Sequence, residues 1–278
     1  HLHGYNRTAH LGGGLRLTGL GCPVVCTVFA ALFPERFSMV TRRLWKRVDA
    51  LVTATEFVRR GYEAQRLSVD VVRHGLIRDL RTEHDGSPLG PRKRVLFWRD
   101  PSIANGADLA LEAYRTLAPK YPDVDFDFAI RPYWDPVDGI DALAEQHDNV
   151  HVFRFPYEDG ITLPGLLLES ICVLQPMRRL TINPQLVIAE SLAAGIPTIA
   201  SDLDSTNEVV QDGVTGRLVP IGDALALTTA LDELLSDRTA LAAMGDAAAA
   251  DIRTRWSWDH FLDDIGSVYQ RVTKGRCS

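Results

Sequence analysis

Residues 181–202 combine a pattern of loop, helix, turn and strand with one side chain that could take part in chemistry. Asn183 is a suitable N-cap, and Pro184 suits the first helical position, where no N–H is needed. Gly195 is typical of the position just after a helix end. Glu190 interrupts this otherwise apolar helix, and its carboxylate could accept hydrogen bonds from both hydroxyls of a ribose. The same periodicity also fits an ordinary surface glutamate, so the residues alone leave both interpretations open.

Three arginines stand where an anion could bind. Arg99 directly follows the apolar segment 94–98, which predicts a strand, and open parallel sheets bind ligands at the carboxyl ends of their strands. Arg178 and Arg179 lie just before the predicted helix, whose N-terminus would favour an anion. The alternatives are a solvated loop charge for Arg99 and a basic surface loop for the other two.

Other polar residues predict no further chemistry. His1, His3 and His10 lack the spacing of metal ligands, so we expect no metal site. The triplet at 12–14 is all glycine and could be a phosphate loop, but a plain turn fits it better because no long strand leads into it. Ser191 lacks the G-x-S-x-G pattern of a hydrolase nucleophile.

Composition limits the class of protein. The chain has 278 residues, of which 46% are hydrophobic, which is enough for a substantial core in one to two domains. The net charge is −6 with both signs well mixed, so we expect no nucleic-acid partner. The four cysteines have neither zinc spacing nor the density of a disulfide scaffold, and this predicts reduced thiols in the cytosol. No segment has the length and apolarity of a membrane span, and no signal peptide is visible. Since the chain starts at His1, we expect further sequence upstream.

Segments of strand and helix pattern alternate along the chain. Strands are predicted at 23–28, 50–54, 68–73, 94–98, 125–130, 149–153, 171–175, 197–201 and 216–220. Helices are predicted at 39–48, 108–118, 137–146, 184–194, 224–235 and 238–255. Three more are predicted with one boundary or none: one begins at Thr55, one ends at Gly213, and one near the C-terminus runs through Tyr269. Such alternation predicts an α/β fold with parallel sheets.

The polar segment at 79–93 contains a linker pattern at 85–91, which divides the chain. We therefore expect a partial N-terminal domain over 1–85, a second domain over 86–255, and a C-terminal helical segment over 256–278 that packs across both. Trp256, Trp258 and Phe261 are interpreted as core residues that hold the domains together.

The segment 186–220 carries a resemblance to a known family. Glu190-Ser-Leu-Ala-Ala-Gly-Ile-Pro is followed in register by Glu208-Val-Val-Gln-Asp-Gly-Val-Thr-Gly-Arg-Leu-Val-Pro. Together with 48–60 and 71–75, these residues resemble the group 1 (family 4) retaining glycosyltransferases of the GT-B fold. The resemblance implies two Rossmann-like domains, the first apparently truncated because the family's glycine-rich first loop is not found here.

The resemblance also implies a role for each matching residue. Glu190 matches the second glutamate of the family's E-x7-E motif and should accept from the nucleotide ribose, and Arg99 should neutralise the diphosphate of the leaving group; these two are the expected catalytic residues. The implied substrates are a nucleotide-diphosphate sugar and a hydroxyl acceptor, with no cofactor and no metal. The expected substrate-binding residues are Asn105, Arg178, Arg179, Thr181, Asn183, Gln185, Leu186 and Glu190.

The chain departs from the family pattern at four positions. Ile182 stands where the first glutamate of the motif belongs, and residues 183–185 replace a glycine-bearing segment. Asn105 replaces a lysine, which removes the second diphosphate cation, and Phe29 replaces a histidine. Arg178, Arg179 and the hydroxyl of Thr181 are the expected compensating groups.

Three functions remain open from the sequence. The first is a retaining glycosyltransferase in the cytoplasm, with peripheral association at the inner face of a membrane. The second is a catalytically reduced GT-B module that serves as a partner or regulatory subunit. The third is a nucleotide-sugar hydrolase or epimerase.

Overall fold

The computed structural model describes residues 2–3, 22–29, 39–75, 80, 89–158, 160–180 and 182–274. The chain forms two compact units. The first contains His1–Ile77, Thr181–Gln185 and Arg255–Ser278, and the second contains Arg78–Leu180 and Leu186–Thr254. Each unit has a sheet of parallel strands with helices, which confirms the predicted α/β class.

The first unit has a four-stranded parallel sheet in the order β1-β2-β3-β4. Its strands are β1 Leu2–His3, β2 Val25–Thr27, β3 Ala50–Thr53 and β4 Asp70–Val71, and its first two helices are α1 Met39–Trp45 and α2 Glu56–Glu63. The cap predicted for α2 is confirmed, since the Thr55 hydroxyl accepts from the Val58 N–H at 3.3 Å. Trp45 stacks on Tyr62 with 5.2 Å between ring centroids, which joins α1 to α2 in the core.

The second unit has a six-stranded parallel sheet in the order β10-β9-β8-β5-β6-β7. The strands are β5 Arg94–Arg99, β6 Asp125–Ile130, β7 Val150–Arg154, β8 Ser170–Gln175, β9 Thr198–Ser201 and β10 Gly216–Val219. The helices are α3 Ala107–Leu117, α4 Ile140–Gln146, α5 Leu163–Leu168, α6 Leu186–Ala193, α7 Thr206–Val209, α8 Ala224–Ser236 and α9 Arg238–Arg255, and a 3-10 turn spans Ile103–Asn105.

Helices cover both faces of the larger sheet. Alternate residues of β5 point to opposite faces, so Phe97 packs with α3 and α8, whereas Leu96 packs with α5 and the end of α6. Burial on both faces explains why these strands read as nearly continuous apolar segments in the sequence. The arrangement leaves the carboxyl edge of the sheet as the place where polar side chains can gather.

The last helix, α10 Trp258–Lys274, belongs to the first unit. Its buried residues Ile265 and Val268 pack with Val25 and Val52 of the small sheet. Trp256 is buried as predicted, but Trp258 is 50% exposed, so its assignment to the core was wrong. The Trp258 ring instead lies against Gly75, where a Cβ would come within 2.6 Å of it. Packing of this helix across both units stays a prediction.

The helix expected to begin at Asn183–Pro184 begins at Leu186 instead. Asn183 is therefore not its N-cap, and Pro184 is not its first residue. The Asn183 N–H donates to the Phe29 carbonyl at 2.7 Å, which places residues 182–185 in the first unit rather than in the helix. The Asn183–Pro184 peptide bond is cis.

Four other helices differ from the sequence prediction, and the first of these, α1, ends at Trp45 rather than at 48. Helix α7 ends at Val209 rather than Gly213, because the Gln211 N–H donates to the Thr215 hydroxyl at 2.9 Å and a turn follows. Helix α4 begins at Ile140 rather than 137, after a glycine with positive φ. Helix α5 was not predicted, although the Thr162 hydroxyl caps the Gly165 N–H at 3.1 Å.

Several predictions fall on residues outside the described ranges. These include the glycine triplet at 12–14, most of the predicted linker, Thr181 and Cys277.

Candidate functional site

Glu190 lies in the middle of α6 and is only 7% exposed. The helix is apolar around it, with Ile188, Ala189 and Leu192 fully buried, so the chain holds this carboxylate at the inner side of the helix. Gly195 ends the helical segment with a φ of 75°, a conformation that favours glycine. This burial excludes the ordinary surface glutamate that the periodicity left open. A buried carboxylate also needs polar partners.

Arg99 is the last residue of β5 rather than the first residue of the loop. Burial lowers the pKa of its guanidinium, the adjacent Asp100 raises it, and Arg131 lowers it again, so the net shift is downward. An arginine stays protonated despite such a shift, because its ordinary pKa lies far above neutral pH. Arg99 is thus a partly desolvated positive charge at the carboxyl edge of the sheet.

A cavity of about 330 Å³ brings Arg99 and Glu190 together. It opens at the carboxyl ends of β5 and β6 and is bounded on one side by the first turns of α6. Its lining residues are Trp98, Arg99, Asp100, Ala129, Arg131, Tyr157, Leu186, Val187 and Glu190. Of the expected site residues, the structure therefore gathers Arg99, Leu186 and Glu190 around one space.

Two neighbouring buried polar side chains have polar atoms that are unpaired within the described ranges, and one of them, Trp98, lines this cavity. The indole N–H of Trp98 has no hydrogen-bond partner among the described residues, and neither has the side-chain amide of Gln175. Gln175 ends β8, one residue beyond Leu174, which pairs with Phe97 of β5, so it stands beside Trp98 on the neighbouring strand. Buried polar groups are normally satisfied by protein, water or ligand, so these two mark a place with unused hydrogen-bonding capacity.

Asn105 does not line the cavity. Its side-chain amide donates to the Asp100 carbonyl at 3.2 Å, and its backbone N–H is capped by the Ser102 hydroxyl at 3.3 Å. The residue therefore closes the 3-10 turn that follows β5. Gly106 comes next with a φ of 77°, and a Cβ there would lie 2.1 Å from the Pro176 carbonyl oxygen, so this tight turn requires glycine.

Arg178 and Arg179 have different surroundings. The Arg178 guanidinium makes a bidentate ion pair with Asp108 at 2.6 and 2.7 Å and also donates to the Ile103 carbonyl at 2.6 Å. It fastens the start of α3 to the segment after β8, and binding a phosphate would require this pair to break. Arg179 is exposed.

The remaining expected residues lie in the first unit. Asn183 and Gln185 are 2% and 6% exposed. The Gln185 side-chain amide donates to the Ile182 carbonyl at 2.9 Å, which closes a local turn before α6. Their predicted contacts with a substrate stay predictions.

Other kinds of site find no support in the described part of the chain. No group of three or more His, Cys, Asp or Glu side chains in the described ranges is arranged to hold a metal ion. Within those ranges, no helix is long and apolar enough to cross a membrane. Burial raises the pKa of the Cys172 thiol to about 12 and that of Cys26 to about 11, so neither is a reactive thiolate at neutral pH.

Arg131 and Tyr157 are cavity residues that the sequence reasoning missed. Arg131 directly follows β6, as Arg99 ends β5, so the rule that ligands bind at strand carboxyl ends could have identified it. Tyr157 follows the end of β7 by three residues. Burial raises the pKa of Tyr157 while Arg131 lowers it, and the net upward shift keeps its hydroxyl neutral and able to donate.

Comparison with known proteins places this cavity in a family context. The model of the glycosyl transferases group 1 matches residues 92–237, just over half of the chain. A phosphatidyl-myo-inositol mannosyltransferase of Mycolicibacterium smegmatis is 39% identical over 198 residues, covering 68% of this chain and 47% of that protein. A D-inositol 3-phosphate glycosyltransferase of Mycobacterium avium is 40% identical over 139 residues, covering 49% of this chain and 32% of that protein. The chain thus spans half or less of the length of these relatives.

Solved structures show the same fold at low sequence identity. Anabaena HepE in complex with UDP has a TM-score of 0.70 and 16% identity, with 99% of this chain and 78% of that chain covered. The N-terminal domain of Candida albicans trehalose-6-phosphate phosphatase has a TM-score of 0.73 and 15% identity, covering 97% and 70% of the two chains. These neighbours confirm the GT-B fold that the sequence resemblance implied. The family model covers β5 to α8, which carry every residue that lines the cavity, and the chain belongs to the group 1 glycosyl transferases.

Proposed function

We propose that the chain transfers a sugar from a nucleotide-diphosphate sugar to a hydroxyl acceptor with retention of configuration. The observation that carries this proposal is the placement of Arg99 and Glu190 in the lining of one cavity at the carboxyl ends of β5 and β6. A nucleoside diphosphate has ribose hydroxyls that donate hydrogen bonds and phosphates that carry negative charge. A buried carboxylate and a partly desolvated guanidinium complement these two parts.

In the proposed reaction, Glu190 accepts hydrogen bonds from the ribose hydroxyls and fixes the nucleotide. Arg99 faces the diphosphate and stabilises the negative charge that grows on it as the bond between the anomeric carbon and the phosphate oxygen breaks. The acceptor hydroxyl attacks that carbon from the face the diphosphate leaves, and its proton passes to the departing phosphate oxygen. Atoms and charge balance without a protein base, a metal or a cofactor.

Binding of nucleoside diphosphates, followed by titration calorimetry, tests the proposed site. We expect Glu190→Gln to weaken binding by about tenfold, because a charge-assisted hydrogen bond to ribose is lost. The same change should abolish the preference for a ribonucleotide over its 2′,3′-dideoxy analogue. Glu112→Gln is the matched control, since Glu112 is an exposed glutamate on α3. An unaltered preference for the ribonucleotide in Glu190→Gln would rule out the ribose role.

The names of the relatives suggest substrates for the activity assay. We propose an inositol-bearing hydroxyl acceptor, because relatives that match this chain are named phosphatidyl-myo-inositol mannosyltransferase and D-inositol 3-phosphate glycosyltransferase. We propose a GDP-linked hexose as donor, because another relative, from Mycolicibacterium smegmatis, is named as a GDP-mannose-dependent mannosyltransferase. The assay measures release of nucleoside diphosphate from GDP-mannose and UDP-glucose with each acceptor and without one. Release that does not depend on an acceptor would instead indicate a hydrolase.

A second candidate is a GT-B module without transferase activity that serves as a partner subunit. Ile182 favours it, because a side chain without polar atoms cannot accept a hydrogen bond from a sugar hydroxyl. Asn105 favours it too, because its amide is taken up by the Asp100 carbonyl. Tight binding of a nucleoside diphosphate with no turnover of any donor would support this second candidate.

We also propose that the protein works in the cytoplasm, at the inner face of a membrane. Helix α1 exposes Met39 and Val40 at 73% and 67%, and Arg43, Lys46 and Arg47 are exposed in the same segment. Apolar side chains beside basic ones fit an anionic lipid surface. Co-sedimentation with phosphatidylglycerol vesicles should drop in the double variant Met39→Ser, Val40→Ser but not in Leu225→Ser, where the leucine is 78% exposed in the second unit. Equal co-sedimentation of both variants would contradict the proposal.

A further inference from the structure

We propose that Arg131 is the second cation for the diphosphate, in place of the lysine that the family pattern puts where this chain has Asn105. This inference rests on the proposed function of the cavity. The structure puts Arg131 at the cavity that holds Arg99 and Glu190 and turns Asn105 away from it.

The sheet register places the two arginines next to each other. In the pairing of β5 with β6, Trp98 is opposite Ala129 and Arg99 is opposite Ile130, so Arg131 comes one residue beyond the partner of Arg99. Trp98 and Ala129 both line the cavity. Neighbouring strands in a sheet lie about 4.8 Å apart, so two long guanidinium side chains from these positions can reach the same phosphate group.

Arg131 has no ion-pair partner among the residues that the structure describes, and it is exposed. Other arginines of the second unit are held by carboxylates, as Arg178 is by Asp108 and Arg154 is by Asp141. Arg131 also lies close enough to Arg99 for its charge to lower the pKa of Arg99. Two like charges that converge on one space repel each other, and a bound polyanion would remove that repulsion.

The cavity lining contains charges of both signs. Two carboxylates, Asp100 and Glu190, balance two guanidiniums, Arg99 and Arg131, so the cavity as a whole is close to neutral. A simple anion would gain little from such a site. A ligand that has donor hydroxyls at one end and phosphates at the other can satisfy Glu190 and both arginines together.

The expected alternatives to Arg131 are less suited. Arg178 is tied to Asp108 by two hydrogen bonds and to the Ile103 carbonyl by a third. Releasing it would break a bidentate pair and loosen the start of α3. Arg179 is exposed and is not among the residues that line the cavity, so it enters the experiment as a competing candidate.

The experiment compares nucleoside and nucleoside diphosphate binding by titration calorimetry, using guanosine with GDP and uridine with UDP. We expect Arg131→Met to weaken binding of whichever diphosphate the wild type binds more tightly by about tenfold to a hundredfold, the effect of losing a hydrogen bond between charged groups. Its affinity for the nucleoside should change by less than about twofold, because the nucleoside carries no phosphate. Arg131→Lys should recover part of the loss, because the charge returns without the planar fork. Arg131 is exposed, so the variants should fold, and thermal unfolding checks this.

Arg115→Met and Arg179→Met are the comparisons. Arg115 is an exposed arginine on α3 that pairs with Glu112, so its loss should leave binding unchanged. The inference is overturned if Arg131→Met keeps its affinity for the diphosphate, if it loses nucleoside affinity equally, or if only Arg179→Met shows the diphosphate-specific loss. In each of these cases, the proposed function would remain intact if the wild type binds a nucleoside diphosphate and Glu190→Gln weakens that binding. A wild-type protein that binds no nucleoside diphosphate would overturn both.

Discussion

Strand β5 has an arginine at each end, and the two have opposite surroundings. At the amino end, Arg94 binds Asp127 at 2.5 Å and Glu169 at 2.8 Å. Burial lowers the pKa of Arg94, but these two carboxylates outweigh it, so the pKa is raised. At the carboxyl end, burial lowers the pKa of Arg99, Asp100 opposes that shift, and Arg131 adds to it, so the pKa is lowered.

This contrast separates charges that are paired within the fold from charges that line a cavity and that we propose bind a ligand. Asp127 is fully buried and also contacts His151 at 2.9 Å, so the amino-end cluster is a network closed within the protein. At the carboxyl end, Arg99 and Arg131 both line a cavity, and their positive charges repel each other. Both clusters use the same residue types on the same sheet, and only their positions along the strands distinguish them.

Removing Arg94 should have the largest effect on stability. Arg94→Met leaves the fully buried Asp127 without its guanidinium, and breaking a buried pair in this way costs about 3–5 kcal/mol. Chemical denaturation should show this loss in the free energy of unfolding, and the folded variant should bind nucleoside diphosphates like the wild type. A loss below about 1 kcal/mol would mean that the amino-end network does not hold the fold.

Removing Arg99 should have the opposite pattern. Arg99→Met should weaken nucleoside diphosphate binding by about tenfold to a hundredfold, since it removes a charge-assisted contact with phosphate. Its free energy of unfolding should change far less than in Arg94→Met, because a desolvated charge is removed together with its contacts. Calorimetry and denaturation should be applied to both variants side by side. An equal loss of stability in Arg94→Met and Arg99→Met would contradict the difference between the two ends of the strand.

The pH dependence of stability sharpens the comparison. The hydrogen bond to Asp127 raises the pKa of His151 above its ordinary value of 6.5, burial opposes this, and the charge of Asp127 adds to it. The protonated imidazole therefore stabilises the fold fully below about pH 6.5, and this contribution is lost as the pH rises through the raised pKa. It should amount to less than about 1 kcal/mol, since the side chain is 40% exposed.

Denaturation of the wild type and of His151→Gln at pH 5.5 and pH 8.5 measures the contribution of the protonated His151 to the free energy of unfolding. The wild type should lose more stability between the two pH values than the variant does. A difference of the reverse sign would contradict the assigned role of the Asp127 contact.

Arg154 should show the smallest effect. It pairs with Asp141 at 2.6 Å, but the two side chains are 57% and 68% exposed. Exposed ion pairs contribute about 0–1 kcal/mol, so Arg154→Met should change the free energy of unfolding by about 0.5 kcal/mol or less. A loss comparable with that of Arg94→Met would show that exposure does not separate the two kinds of pair.

The larger sheet was the most predictable part of the molecule. Predicted strands such as 125–130 coincide with the observed β6, and helices α3, α8 and α9 begin and end within about one residue of their predicted positions. These elements have strong local signals, because buried parallel strands are continuously apolar and long helices repeat their pattern. The start of α6 was mispredicted because residues 182–185 belong to the first unit, where the Asn183 N–H donates to the distant Phe29 carbonyl.

The sequence by itself determined the parallel α/β architecture and the family resemblance, and it singled out Glu190 and Arg99 as candidate site residues, because apolar periodicity and the motif register are local properties of the chain. The tertiary structure alone decided which charges share a space. Arg178 lies near Glu190 in the sequence but is bound by Asp108, whereas Arg131 lies far from it in the sequence and lines its cavity. The physical reason is that parallel strands bring their carboxyl ends to one edge of the sheet, and sequence distance does not measure the separation across that edge.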